Sequence, residues 1–267
     1  MLNFLIIDGS YYCFFRYFAV VQWFKLAKPG EPLTTPADNP AFLEKYEKMF
    51  KERLEIFIKK LEIDNPIIIV GRDCPRRDIW RNEIFPKYKA HRGYDTGLHG
   101  GLISRTWDQD EELFREAGAQ LILQHPRLEA DDCIAITTKY ILKTYKEAKI
   151  WIVTSDTDYL QLAGERVKLY NLKHKDLTEG RTCFKDPKKD LFCKIVAGDK
   201  SDGIPSVFSR CGIKTAAKYF DNREKFKERL EKDGAQALYA RNTELIDFDA
   251  IPETLVKEFH RMYGLPS

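Results

Sequence analysis

Hydrophobic positions along the chain follow two rhythms. Short apolar runs occur at 3–7 (NFLII), 66–70 (PIIIV), 120–124 (QLILQ), 149–153 (KIWIV) and 166–172 (RVKLYNL), rich in Ile, Val and Leu. Several show little alternation, as expected of parallel strands buried on both faces. Between the runs the period lengthens to three-and-four. Phe42, Leu43, Tyr46, Met49, Phe50, Leu54, Phe57, Ile58 and Leu61 mark a helix over 40–62. Asn39 supplies its cap and Pro40 its first position, and Glu–Lys pairs four apart run along the wet face. Further helices are predicted over 11–26, 105–117 and 130–145, and the Pro-rich stretch KPGEPLTTPADNP reads as loop. Strand, helix, strand in this order predicts an α/β fold with a doubly wound, mostly parallel sheet. Beyond about Asp186 the strand signals stop. Residues 186–264 read as short helices punctuated by glycines, which predicts a C-terminal helical subdomain.

Composition narrows the class. A chain of 267 residues fits one large domain, or a core with a smaller appendix. No apolar run approaches the roughly 20 residues of a membrane span. The first residues, MLNFLIIDGS, lack the basic start and cleavage region of a signal peptide. An intracellular protein is therefore expected, in the cytoplasm or at nucleoid replication sites, with no membrane contact. The six cysteines form no CxxC pair and the five histidines no HExxH cluster, which argues against a zinc site. A net charge of +3 says little, but its distribution says more. Between Arg72 and Arg105, eight Lys or Arg face four acids, so a basic surface and an acidic pocket coexist in one near-neutral chain.

The acids gather where an open parallel sheet places functional groups, at the carboxyl ends of its strands. Asp8 ends the first predicted strand and Asp73 follows the second. Glu129, Asp131 and Asp132 follow the 120–124 run, and Asp156 and Asp158 follow the 149–153 run. Asp199 and Asp202 lie in a Gly-bounded turn, AGDKSDGIP. One such acid alone is a helix cap or a surface group. Nine at one edge would raise each other's pKa and destabilise the fold unless cations neutralise them. Hard oxygen ligands without Cys or His suit Mg²⁺ or Mn²⁺. Two such ions can clamp the attacking and leaving oxygens of a displacement at phosphorus, so the acids predict phosphoryl chemistry.

Beside them, residues 76–92 (RRDIWRNEIFPKYKAHR) interleave Arg76, Arg77, Arg81, Lys87, Lys89 and Arg92 with Trp80, Phe85 and Tyr88. Basic groups attract phosphates, and aromatic rings offer platforms for unpaired bases. The following GYDTGLHGG, with four glycines in nine residues, predicts a flexible stretch.

The blocks IDGS, WRNEIFPKYKAHR, EADD, TSDTDYLQL and GDKSDGIPSV, in this order, resemble the 5′-nuclease or flap endonuclease superfamily, which has a PIN-like fold. The nearest likeness is to phage-type 5′–3′ exonucleases, including the ribonuclease H-type phage nuclease, and to the 5′-nuclease domain of bacterial DNA polymerase I. The resemblance implies a first metal site at Asp8, Asp73, Glu129, Asp131 and Asp132. A second, looser one would lie at Asp156, Asp158, Asp199 and Asp202, giving two Mg²⁺ or Mn²⁺ ions. It implies that Lys89 and Arg81 steady the scissile phosphate, and that Tyr88 and Arg92 help place the unpaired strand. It further implies a catalytic core over 1–185 with a helical arch at about 78–104. The part at 186–267 would carry a helix-turn-helix-type motif at about 198–219, where Lys214 and Thr215 in GIKTA help hold duplex DNA. The implied activity is metal-dependent, structure-specific 5′–3′ exonuclease and flap endonuclease cleavage in DNA replication and repair. Substrates would be DNA with 5′ single-strand/duplex junctions, 5′ ends and RNA primers on DNA. A monomer without a fused polymerase is expected, as in phage or viral replication. One departure stands out. The family's turn usually reads G-I-G-x-K-T-A and often binds K⁺, whereas SVFSRCGIKTA carries Arg210-Cys211-Gly212 and one added residue, leaving K⁺ binding open.

Three other readings compete. DTD at 156–158 and GDKSD suit a haloacid-dehalogenase-like phosphatase, but the nucleophile would come late in the chain and Asp8 and EADD would have no task. A DNA-binding module with a decayed site should have lost ligands, and none of the nine is missing. A PIN-type ribonuclease shares the sheet and acids but usually lacks the arch and the C-terminal turn.

Overall fold

The computed structural model describes residues 2–92 and 113–266. Strands β1 (Asn3–Asp8), β2 (Ile67–Gly71), β3 (Ala119–Leu123), β4 (Lys149–Val153) and β5 (Val167–Tyr170) form one sheet in the order β3-β2-β1-β4-β5. Every pairing is parallel. From β1 the chain winds one way through β2 and β3, then crosses back and winds the other way through β4 and β5. Such a reversal opens a crevice at the strands' carboxyl ends, beside β1.

Both faces of the sheet are covered, which is why the strand sequences barely alternate. Leu5 and Ile7 of β1 join Ile68, Val70, Ile122 and Val153 under α1 (Gly9–Ala27) and α2 (Pro40–Lys60). Phe4 and Ile6 point the other way, with Ile69, Leu123, Ile150 and Ile152. The helix after β3, here α4 (Ala130–Thr144), covers that side through Ile134, Ile136 and Ile141. Each such side chain, fully buried, contributes about 1.5–3 kcal/mol. Gly71 marks the close approach of α4 to β2. A Cβ there would sit 2.8 Å from Ile134 Cδ1 and 3.0 Å from the Ala130 carbonyl oxygen. The predicted cap of α2 is present, Asn39 accepting from the Phe42 amide at 3.0 Å with Pro40 at the first position.

After β5 the chain is helical, as the sequence predicts. Helices α5 (Pro187–Ala197), α6 (Ile213–Asp221), α7 (Arg223–Lys232) and α8 (Gln236–Ile246) enclose a small core of their own. Phe192, Val196, Phe208 and Phe226 are at its centre. The last helix, α9 (Glu253–Met262), does not join that layer. Leu255 and Phe259, one turn apart, pack with Phe248 and Ile251 against the sheet face that carries Phe4 and Ile6. An amphipathic helix is thereby spent on covering the sheet. Among the described residues, no helix is long and apolar enough to cross a membrane.

The expected arch (about 78–104), the flexible stretch at 93–101 and the helix at 105–117 lie wholly or partly outside the described residues. Within them, α3 (Arg81–Ile84) is a single turn, and residues 113–116 are helical. The segment through 92 docks on the turn at 199–204. The Lys89 amide donates to the Asp202 carbonyl at 2.8 Å, and Arg92 Nε donates to the Ser201 carbonyl at 2.9 Å.

Candidate active site

The crevice beside β1 is a cavity of about 390 Å³ lined by Asp8, Asp73, Glu129, Asp131 and Asp156, with Lys89, Arg92 and Arg76 on its basic side. Four strand ends deliver these acids. Asp8 closes β1 and caps α1, accepting from the Tyr11 amide at 3.0 Å and from Thr154 Oγ1 at 3.2 Å. Asp73, two residues beyond β2, accepts from Ser10 Oγ at 2.5 Å and from the Ala130 amide at 2.8 Å. Glu129 is the cap of α4, in a reciprocal capping box with Asp132. Asp156, after β4, caps the turn at 157–162 by accepting from the Asp158 amide at 2.9 Å. Asp8, Glu129 and Asp156 are thus caps, and the same geometry brings them with Asp73 and Asp131 to one space.

Their charges are not balanced alike. The ion pairs among the described residues leave out Asp8, Asp73 and Asp131 and engage the other six acids. Asp8 is accordingly pushed up to about 7, by burial first and then by Asp73 and Asp156, against the hydrogen bonds from Tyr11 and Thr154. Burial, Asp132 and Glu129 push Asp131 up as well. Burial alone would raise Glu129 too, but Lys89 and Arg81 outweigh it and hold the carboxyl below its ordinary range. Lys89 Nζ lies 2.5 Å from Glu129 Oε1 and 3.8 Å from Asp202 Oδ2.

Two of the expected site residues, Asp132 and Arg81, lie outside the cavity lining. Asp132 is 0% exposed, with both carboxylate oxygens taken by Arg81 at 2.7 and 2.8 Å and one also by Trp80 Nε1 at 2.9 Å. Arg81 is 2% exposed, and it also donates to Glu129 Oε2 at 3.1 Å and to the Leu245 carbonyl at 2.7 Å. Its guanidinium faces the wall behind Glu129, since burying two carboxylates at a helix start requires a fixed cation beside them. Neither residue lines the cavity. Tyr88, expected as a strand contact, is also buried, its hydroxyl 2.9 Å from Glu129 and 3.3 Å from Asp202.

A second acidic group, Asp158, Asp199 and Asp202, brings carboxylate oxygens within 4.8 Å of one another, as does the group Glu129, Asp131 and Asp132. The Gly198–Ile204 turn shapes the second group. Gly198 takes φ 71, and the Asp199 and Ile204 amides exchange hydrogen bonds with each other's carbonyls at 2.9 and 2.7 Å. Arg92 Nη2 reaches Asp202 Oδ1 at 2.5 Å, while burial still pushes Asp202 up.

The remaining candidates spread outward. Arg76 lines the cavity, with Nη1 on the Arg92 carbonyl. Arg77 lines a separate recess with Asn82 and Arg127, and Lys87 is exposed. Lys214 and Thr215 are exposed in the first turn of α6, outside the cavity lining. In the altered turn before them, Arg210 adopts φ 56, the left-handed conformation that glycine takes without strain. Sequence reasoning missed Ser10, which orients Asp73, and Lys194, which sits on the second acidic group. The Ser in IDGS and the Lys five residues before Asp199 were the available signals.

Residues 3–189 match the family described as 5′-3′ exonuclease, N-terminal resolvase-like domain. The chain is 28% identical over 236 residues to a 5′-3′ exonuclease of Buchnera aphidicola subsp. Acyrthosiphon pisum, covering 85% of this chain and 74% of that one. It is 27% identical over 229 residues to ribonuclease H of Enterobacteria phage T4, covering 74% and 71%. Its fold resembles that of the T5 5′-exonuclease with bound zinc ions, at TM-score 0.65 and 19% identity over 97% of both chains. The T5 flap endonuclease in a pseudo-enzyme-product complex with DNA and metal ions also gives TM-score 0.65, at 18% identity over 97% of both chains. The chain thus belongs to the 5′-3′ exonuclease family.

Proposed function

We propose that this chain is a divalent-metal-dependent, structure-specific 5′ nuclease that hydrolyses phosphodiesters at 5′ ends and at single-strand/duplex junctions. The observation that carries this reading is the cavity's division of labour. Asp8, Asp73 and Asp131 lack a cationic partner among the described residues, while Lys89, Arg92 and Arg76 line the same space. The donor set fits Mg²⁺ or Mn²⁺, being all carboxylate. Cys74 also borders the cavity, and burial and Glu129 push its thiol up.

On this reading Asp8, Asp73, Glu129 and Asp131 hold the first ion, and Asp156, Asp158, Asp199 and Asp202 serve the second. A bound divalent ion would lower the pKa of water and neutralise charge on phosphoryl oxygens. The chain's own residues do the rest. Lys89, held at 2.5 Å from Glu129, presents an ammonium toward the scissile phosphate, with Arg92 beside it. Asp132 and Arg81 act from behind, fixing Glu129. Tyr88 ties Glu129 to the Asp202 turn instead of stacking on a base. Lys214, Thr215 and the α6 N-terminus are the assigned contacts to duplex backbone. DNA is the proposed substrate, and RNA primers on DNA are included because a relative is named ribonuclease H.

The test compares cleavage of a 5′-flap duplex with that of the matching blunt duplex and single strand, each with Mg²⁺. Preferential cutting of the flap near its junction supports the reading. Equal cutting of all three removes structure specificity, and cutting of RNA alone favours a ribonuclease.

A further inference from the structure

The second acidic group already contains a cation, and that cation belongs to the chain. Lys194, in the last turn of α5, carries its ammonium into the gap between the 156–158 segment and the 199–202 turn. Its Nζ contacts Asp158 Oδ1 and lies 2.9 Å from Asp199 Oδ2 and 3.9 Å from Asp156 Oδ1. It also reaches Thr157 Oγ1 at 3.4 Å, and the side chain is only 14% exposed. Asp202, the remaining member, is engaged by Arg92 and Lys89. In the first group Lys89 and Arg81 pair with Glu129, but Asp8, Asp73 and Asp131 have no ion-pair partner among the described residues. The two acid groups, bridged by Lys89 between Glu129 and Asp202, thus differ in how far the protein neutralises them.

We propose that the Lys194 ammonium is the resident counter-cation of the second acidic group and competes with a divalent ion for Asp158 and Asp199. Ammonium and metal ion seek the same oxygens, and like charges cannot share them at ion-pair distance. The free protein therefore loads its first ion at the uncompensated acids. The second ion binds weakly, because Lys194 must first leave. When it leaves, its four-carbon stem lets the ammonium turn toward solvent or toward a substrate phosphate, where it keeps a partner. Lys194 is a positioning residue on this account, setting the order in which the two sites fill.

The inference rests on the divalent-metal reading of the cavity, and the experiment separates the two. Free protein without DNA is titrated with Mn²⁺, and bound ions are counted by electron paramagnetic resonance for wild type, Lys194→Met, Lys194→Gln and Lys194→Arg. Wild type and Lys194→Arg are expected to bind one ion well and a second weakly. Removing the charge in Lys194→Met and Lys194→Gln tightens the second ion by about tenfold or more. Unchanged second-ion affinity in both neutral variants overturns the proposal. No Mn²⁺ bound by wild type at all overturns the metal reading itself. If the neutral variants do not fold without metal, wild type carries the test. With carbon-13-labelled lysine, the Lys194 Cε resonance must move with the second Mg²⁺ equivalent and not the first, and movement with the first overturns the proposal.

Discussion

Replacing Arg81 with methionine separates a structural role from a direct one. Arg81 makes a two-pronged contact with Asp132 at 2.7 and 2.8 Å, a third bond to Glu129 at 3.1 Å and a fourth to the Leu245 carbonyl. With Arg81 at 2% and Asp132 at 0% exposure, its loss leaves the Asp132 carboxylate in the interior without its cation, while Glu129 keeps Lys89. Breaking a buried pair from one side typically costs about 3–5 kcal/mol. For a chain of this size that lowers Tm by on the order of 10 °C. Urea unfolding without metal, on Arg81→Met, Asp132→Asn and the double variant, measures the effect and its coupling. The double variant is expected to be more stable than the sum of the singles requires, by about 2 kcal/mol or more, because they share one interaction. Cleavage should fall as well, through a displaced Glu129. Stability within about 0.5 kcal/mol of wild type, together with lost turnover, would refute this reasoning and return Arg81 to the scissile phosphate.

Lys89→Met should retain flap binding within a few-fold and lower single-turnover cleavage by about 10²–10³, the usual cost of one transition-state charge partner; wild-type turnover would exclude that role. The metal-free protein should lose stability as pH rises from about 4 to 7. Asp8, ordinarily at 3.8, is held up to about 7, so in that window the fold keeps a proton the unfolded chain has released. The loss amounts to at most about 4 kcal/mol, and metal should reverse it most strongly above pH 7. Thermal melts in EDTA and in Mg²⁺ check this, and a rising EDTA profile over that window contradicts it. Gly198→Ala should destabilise by about 1–3 kcal/mol. Its Cβ would meet the Ile204 and Pro205 carbonyl oxygens at 2.5 and 2.6 Å at a φ of 71; an unchanged midpoint in urea would count against the turn geometry.

The sheet was legible because two-sided burial writes itself as unbroken Ile-Val-Leu runs, and PIIIV and KIWIV lie where those runs fall. The site was legible because a parallel sheet sends its strand ends to one edge, so Asp8, Asp73, Glu129, Asp131 and Asp156 meet there. Spacing could not show which acids are compensated. Arg81 and Lys89 look alike in a basic stretch, yet one is sealed behind Glu129 and the other borders the cavity. Tyr88 next to them was read as a base platform, but its hydroxyl satisfies two buried carboxylates. Lys194 is a cation in the last turn of a helix. Its contacts depend on the Asp199 turn folding back beside the 157–162 segment, which no local pattern encodes. The fate of α9 was hidden for the same reason, since an amphipathic helix does not state which core it covers.

The most direct measurement follows a 5′-flap DNA labelled at its 5′ end, incubated with the protein in Mg²⁺ and in EDTA, with product ends mapped. The account predicts cleavage near the junction only with Mg²⁺, leaving a 5′-phosphate and a 3′-hydroxyl, and none with Asp131→Asn. Cleavage that persists in EDTA, or is undiminished in Asp131→Asn, would contradict it.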